Sequence, residues 1–248
     1  MLKDKVAIIT GGASGIGESA VKLFAEYGAK VVITDVNEEA GKKLAEEVKS
    51  KGGEAIFVKA DSSSAEDNKR VVDEAVKTYG KLDVAVNNAG IGGDAATVGD
   101  YTIEGWNKVI GINLNGVFYG MKYQIEAMLK NGGGSIINVA SILGQVGFAQ
   151  SSAYVAAKHG VVGLTKNGAL EYATEGIRVN AVGPGFIKTP LIDQHLDQET
   201  QDFLASKHAM QRLGKPEEVA EMFAWLASDK STFVTGAYYA VDGGYLAQ

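Results

Sequence analysis

Within its first 35 residues the chain runs through a short apolar stretch, a glycine turn, an amphipathic stretch and a second apolar stretch, and this order leaves it few ways to fold. Residues 5–10, KVAIIT, are a nearly continuous apolar run, the pattern of a strand buried on both faces of a parallel sheet. Residues 11–17, GGASGIG, turn the chain. In residues 18–27, ESAVKLFAEY, apolar side chains recur at helical spacing, and Gly28 would close the helix. Residues 30–35, KVVITD, form the next run. Parallel strands need a crossover, so the segment predicts a right-handed βαβ unit of about 30 residues.

The alternation continues to the C-terminus. Strands are expected at 55–60, 82–86, 135–139, 178–182 and 237–241, with 183–185 (GPG) breaking the one at 178–182. Helices are expected at 38–51, 66–79, 102–129, 152–172 and 216–226, the one at 102–129 being uninterrupted. The fold class this implies is α/β: a single domain with a doubly wound parallel sheet of about seven strands and helices on both faces, a Rossmann fold. Residues 186–214 depart from the rhythm as a long mixed segment, the length expected of a substrate lid.

Composition removes several functional classes. The net charge is −6 with no basic tract, which argues against a nucleic-acid surface and leaves small molecules or further copies of the chain as partners. There is no cysteine, and the three histidines, His159, His195 and His208, lack metal-ligand spacing, so no metal site is expected. The first strand starts close to Met1 and no apolar run approaches the ~18 residues of a membrane span, so a cytoplasmic protein that does not enter membranes is expected.

The glycine turn lies between the first strand and the first helix, the context that makes it a phosphate loop. Gly11, Gly15 and Gly17 answer three needs: a turn, backbone approach to a pyrophosphate, and close helix–strand packing. Ser14 and Ile16 complete a loop whose free N–H groups open the helix toward the phosphate. Asp35 ends the second strand eighteen residues past Gly17, placed to accept from ribose hydroxyls and to repel a 2′-phosphate. With serine at position 14, and Val36 and Asn37 following Asp35, no basic residue is at hand for a phosphorylated cofactor, so NAD is expected over NADP.

Of the ten tyrosines, Tyr154 alone is followed four residues later by a lysine, Lys158. On a helix the two leave one face a turn apart, and an ammonium beside a phenol would draw the phenol's pKa down from about 10. Ser141, at the end of the apolar run, would sit opposite and hydrogen-bond a substrate oxygen. Ile142, Leu143, Gln145, Phe148, Phe186, Leu191 and Ile192 flank these residues or lie on the expected lid, a mostly apolar set that suggests a hydrophobic substrate.

Taken together, these motifs resemble the short-chain dehydrogenase/reductase family, of the compact single-domain type, over essentially the whole chain. Its TGxxxGxG motif falls on Thr10, Gly11, Gly15 and Gly17, and its NNAG on Asn87 to Gly90, which makes Asn88 a cofactor-binding residue. The adenine-contacting acidic position matches Asp61, followed by Ser62, and the nicotinamide carboxamide positions match Ile187 and Thr189. The catalytic tetrad falls on Asn113, Ser141, Tyr154 and Lys158. The resemblance implies an NADH-dependent carbonyl reductase or secondary-alcohol dehydrogenase in which Tyr154 is the general acid/base and Asn113 positions a water that links Lys158 to solvent. Similar enzymes pair the helix at 152–172, with its Gly160, Gly163 and Gly168, across a dimer axis, so a homotetramer is expected. A 3-oxoacyl-thioester reductase of the same fold is the alternative activity, and a dinucleotide-binding scaffold or sensor without catalysis is the alternative of another class.

Overall fold

The computed structural model of the chain describes residues 1–190, 192 and 197–247. Its strands are β1 (Val6–Thr10), β2 (Lys30–Asp35), β3 (Glu54–Lys59), β4 (Val84–Asn87), β5 (Gly134–Val139), β6 (Ile177–Pro184) and β7 (Tyr238–Val241). All pair in parallel, in the order β3-β2-β1-β4-β5-β6-β7. The order reverses between β1 and β4, and a doubly wound sheet opens a crevice outside the C-terminal strand ends at that point.

Successive strand residues point to opposite faces, so the sheet feeds two cores. Ala7, Ile9, Val31 and Ile33 face α1 (Gly15–Glu26), α2 (Glu38–Ser50) and, in chain order the last helix, α8 (Pro216–Ala227). Ile8, Val32, Ala85 and Ile136 face α3 (Ala65–Tyr79), α5 (Gly116–Lys130) and α6 (Ser152–Tyr172). The helix N-termini follow from local chemistry: Asn37 caps α2 by accepting from the Ala40 N–H and Ser64 caps α3 by accepting from the Asp67 N–H. Inside the second core, Asn87 exchanges two hydrogen bonds with Gln124 and donates to Asn138 Oδ1, and the Asn138 amide in turn donates to Thr165. A buried polar chain of this kind ties α5 and α6 to the strands that carry the crevice.

Three expectations need correction. The helix expected at 102–129 is divided into α4 (Ile103–Ile110), a π-helical turn at Gly111–Asn115, and α5. The turn adds a residue where Gly116 passes so close to the Ser62 carbonyl that a Cβ would stand 2.7 Å from its oxygen. β6 is not broken at Gly183: it runs on through Pro184, which pairs with Val241, because the ladder to β5 has already ended at Val182 while β7 continues alongside. Of the α6 glycines, Gly160 packs on Leu114 and Gly168 on Met121, inside the same chain, and only Gly163 meets open space. Two of the three therefore serve internal packing.

The segment 186–214 is pinched at its base, where Lys188 N–H donates to the Gly214 carbonyl and Gly214 N–H to the Phe186 carbonyl. It contains α7 (Gln198–Ser206). Leu191 and His195 lie outside the described residues. Among the described residues no helix is long and apolar enough to cross a membrane.

Candidate active site

A cavity of about 610 Å³ opens at the C-terminal strand ends, where β1, β2, β4, β5 and β6 finish. At its phosphate-loop end lie Gly11, Ser14, Gly15 and Ile16, then Asp35 and Val36, then Asp61 and Ser62. Asn88, Ser141, Tyr154, Lys158, Ile187 and Thr189 line the remainder. Among the residues expected to bind cofactor or to act in catalysis, Gly17 and Asn113 do not form its wall.

The loop is shaped for a bound phosphate. Gly11 and Gly15 adopt φ of 60° and 54°, values that side-chain-bearing residues reach only with strain. A Cβ on Gly17 would collide with the Gly11 carbonyl, so this glycine brings α1 hard against the turn without touching the cavity. The Ser14 side chain makes no capping bond to the helix it precedes. Asn88 braces the loop from β4: its Nδ2 donates to the carbonyls of Thr10 (2.9 Å) and Gly11 (3.1 Å), so its amide hydrogens point at the loop rather than into the cavity. Thr189 leans over from the start of the 186–214 segment to within 3.3 Å of where a Gly15 Cβ would stand. A dinucleotide fits this cradle, where Gly11 and Gly15 form the wall without side chains.

Asp35 accepts from the Ala13 N–H at 3.1 Å and the Asn37 N–H at 2.9 Å, which fixes its carboxylate between loop and turn with lone pairs left for a ribose diol. Among the described residues no lysine or arginine forms an ion pair with it. Asp61 is held by Ser63, whose N–H and hydroxyl both donate to Oδ1.

At the other end, Tyr154 and Lys158 leave α6 on one face, the Lys158 Nζ lying 5.4 Å from the Tyr154 ring centre. Ser141 Oγ accepts from the Leu143 N–H at 3.1 Å, and Ser141 and Tyr154 both line the cavity. Lys158 is 3% exposed and donates to the Val139 carbonyl at 2.7 Å. Here electrostatics departs from expectation. Burial raises the Tyr154 pKa above its usual 10, a rise the Ser141 hydroxyl partly offsets, and burial lowers Lys158 to about 8. Desolvation, which spacing along a helix cannot reveal, is the largest influence on both groups.

Asn113 is fully buried in the π turn and spans the loop after β4: its Oδ1 accepts from the Ile91 N–H at 2.9 Å and its Nδ2 donates to the Ile91 carbonyl at 2.8 Å. Next to it, a Cβ built on Gly90 would stand 3.3 Å from Asn113 Oδ1 and 3.7 Å from Lys158 Nζ. Glycine thus leaves a small space bordered by both residues.

Ile142, Leu143, Phe148, Phe186 and Ile192 supply the apolar wall beside Tyr154, joined by Ile91, which sequence reading missed because it follows NNAG without a pattern of its own. Gln145 is exposed outside the wall, turned away by the short 3₁₀ turn at Ile142–Gly144. His208 was likewise overlooked as a site residue. It is 1% exposed, accepts from the Phe186 N–H at 3.1 Å and packs edge-on against the Phe186 ring.

The crevice, glycine loop and serine–tyrosine–lysine cluster define a nucleotide-dependent oxidoreductase of the single-domain type, and comparison with known proteins bears this out. The sequence model of the family described as enoyl-(acyl carrier protein) reductase matches residues 11–246, and the chain belongs to the short-chain dehydrogenase/reductase family. It is 50% identical to a cyclohexanol dehydrogenase of Acinetobacter sp. (strain SE19) over 99% of this chain and 96% of that one. It is 42% identical to a 3-oxoacyl-[acyl-carrier-protein] reductase of Thermotoga maritima over 98% of each chain. The crystal structure of a levodione reductase superposes with a TM-score of 0.96 at 34% identity, covering 100% of this chain and 99% of that one.

Proposed function

We propose that this enzyme interconverts a cyclic, apolar secondary alcohol and its ketone with NAD(H), Tyr154 acting as general acid/base. The observation that carries the reading is the meeting of Ser141, Tyr154 and Lys158 in one cavity with the glycine loop and Asp35. A bound nicotinamide supplies hydride transfer to or from the substrate carbon. Ser141 Oγ holds the substrate oxygen and Tyr154 gives it a proton as negative charge develops in reduction; oxidation returns the proton to the tyrosinate. Lys158, protonated below about pH 8, stands beside the phenol, where an ammonium favours the phenolate that oxidation requires. The space beside Gly90 suits a water between Lys158 and Asn113, through which the proton is replaced.

Asp35 supports NAD over NADP, because a carboxylate with no basic partner disfavours a 2′-phosphate. The aliphatic and aromatic wall supports a ring substrate, in keeping with the name of the 50%-identical relative. We assign the start of 186–214 as the lid, since Phe186, Ile187, Thr189 and Ile192 already face the cavity. A cytoplasmic homotetramer completes the proposal.

The test is ketone reduction by Tyr154→Phe with NADH and a panel of cyclic ketones. Loss of roughly 10² or more in turnover is expected for removal of a general acid, and near wild-type turnover would remove Tyr154 from its role.

The similarity to the Thermotoga maritima protein favours 3-oxoacyl-thioester reduction as the second reading. Against it, Arg212 is held in a two-pronged contact by Glu218 at 2.6 and 2.9 Å, and Lys207 lies over the Phe203 ring. These cations are engaged within the chain rather than presented to an acidic carrier. Faster turnover of a 3-oxoacyl thioester with NADPH than of cyclohexanone with NADH would reverse the ranking. Absence of turnover with either, alongside tight NADH binding, would leave a scaffold.

A further inference from the structure

The edge strand of the sheet reaches into the site. Tyr238 opens β7, two strands away from β5, yet its hydroxyl donates to the Ser141 carbonyl at 2.9 Å. Neighbouring strands lie roughly 4.8 Å apart, so only a long side chain lying across β6 covers that span. In register, Tyr238 pairs with Ala181, and Gly183 lies two residues on, on the same face of the sheet. A Cβ at Gly183 would overlap the phenolic oxygen and the ring carbon that carries it. The glycine is therefore a notch through which the phenol passes.

At its other end this contact saturates a carbonyl that already has a use. Ser141 O also accepts from the Gly144 N–H at 2.8 Å, which closes the 3₁₀ turn. The adjacent Ala140 N–H donates to the Val182 carbonyl at 2.8 Å, so the backbone around Ser141 is pinned on both sides. Only the side chain of Ser141 is left to face Tyr154.

We propose that Tyr238, admitted by Gly183, is a positioning residue for Ser141: by holding its carbonyl it fixes the direction of the hydroxyl that meets Tyr154 and the substrate oxygen. Burial, and after it Asp242, raises the Tyr238 pKa above the usual phenol value, so the group stays a donor across the working range. The proposal rests on the reading of Ser141 given above.

The experiment compares Tyr238→Phe, Gly183→Ala, Tyr238→Ala, the Gly183→Ala/Tyr238→Ala pair and Ser141→Ala. Each is read by kcat, KM for NADH, the pH profile of alcohol oxidation and the mass in solution. Tyr238→Phe keeps the ring and removes one hydrogen bond, for which a kcat lower by about tenfold at unchanged KM for NADH is expected. Because the Ser141 hydroxyl lowers the Tyr154 pKa, a loosened Ser141 shifts the alkaline-rising limb of the profile to higher pH, in the direction Ser141→Ala shifts it. Gly183→Ala, which expels the phenol, should match Tyr238→Phe, and should cost little more once Tyr238 is already alanine.

A Tyr238→Phe enzyme with wild-type kcat and profile, beside an impaired Ser141→Ala, overturns the proposal alone. So does a Gly183→Ala effect that adds fully to Tyr238→Ala. Wild-type turnover by Ser141→Ala would bring down this proposal together with the reading of the site.

Discussion

Lys158 carries two opposed demands. Burial moves its pKa from the usual 10.5 to about 8, a penalty on the charged form of roughly 3 kcal/mol. Its geometry, bonded to the Val139 carbonyl beside Tyr154, makes sense only if that charge is useful. The consequence can be measured. Between about pH 8 and 10.5 the unfolded chain holds a proton the folded chain has released, so Lys158 makes stability climb with pH across that window and costs most below it. Lys158→Met should abolish turnover while raising the melting temperature at neutral pH, and its advantage over the wild type should shrink as the pH is taken to about 10. A variant less stable than wild type at neutral pH would mean that the bond to Val139 outweighs desolvation. Asp35→Ala should relax the preference for NADH proposed above, and equal wild-type kcat/KM for the two cofactors would sink the role given to Asp35. Both residues were legible as residues, since their types and spacing are local. The sign of the Tyr154 shift was not, because burial depends on everything packed around α6.

Among the elements, the turn from β1 to α1 is where local sequence and tertiary contact agree most closely. Gly11 and Gly15 need positive φ, which a sequence can advertise, whereas Gly17 is needed because α1 meets the Gly11 carbonyl and the Asn88 amide. Gly17→Ala has no room to relax. It should destabilise the protein by about 1–3 kcal/mol, the usual cost of overpacking, and weaken NADH binding, both readable by thermal melting and fluorescence titration; unchanged affinity would argue that the loop tolerates the helix moving away. The π turn at Gly111–Asn115 is the opposite case. Apolar periodicity across 102–129 reads as one helix because a single inserted residue hardly disturbs a 3.6-residue pattern. The turn aims Asn113 at the Ile91 backbone, a partner 22 residues away that the periodicity does not contain.

For the molecule as a whole, the surface still carries apolar groups without cover in one chain. Ile103, Phe118 and Leu170 on α4, α5 and α6 are 77%, 49% and 84% exposed, and Phe233 before the edge strand β7 is fully exposed. Faces of this kind mark association surfaces, and β7 leaves a sheet edge open. A homotetramer of about four times the 26.0 kDa chain mass is the expected species in solution, and Leu170→Glu should shift the population to smaller ones. A chain that stays monomeric at micromolar concentration would refute the assembly. If the tetramer buries β7, Tyr238 links assembly to Ser141, and kcat should fall on dilution together with mass.

What the sequence determined by itself is whatever chain geometry carries locally: the alternation that forces a parallel sheet, the glycine turn, the acid at the end of β2, and the tyrosine and lysine four residues apart on a helix. What only the tertiary structure decided depends on groups distant in the chain. Burial sets the Tyr154 and Lys158 protonation states, the π turn joins Asn113 to Ile91, His208 holds Phe186, and Tyr238 reaches Ser141 across β6. Local periodicity reports backbone dihedrals and the face a side chain takes. Desolvation and long-range hydrogen bonds arise from packing, and they exist only once the sheet has brought the strand ends together.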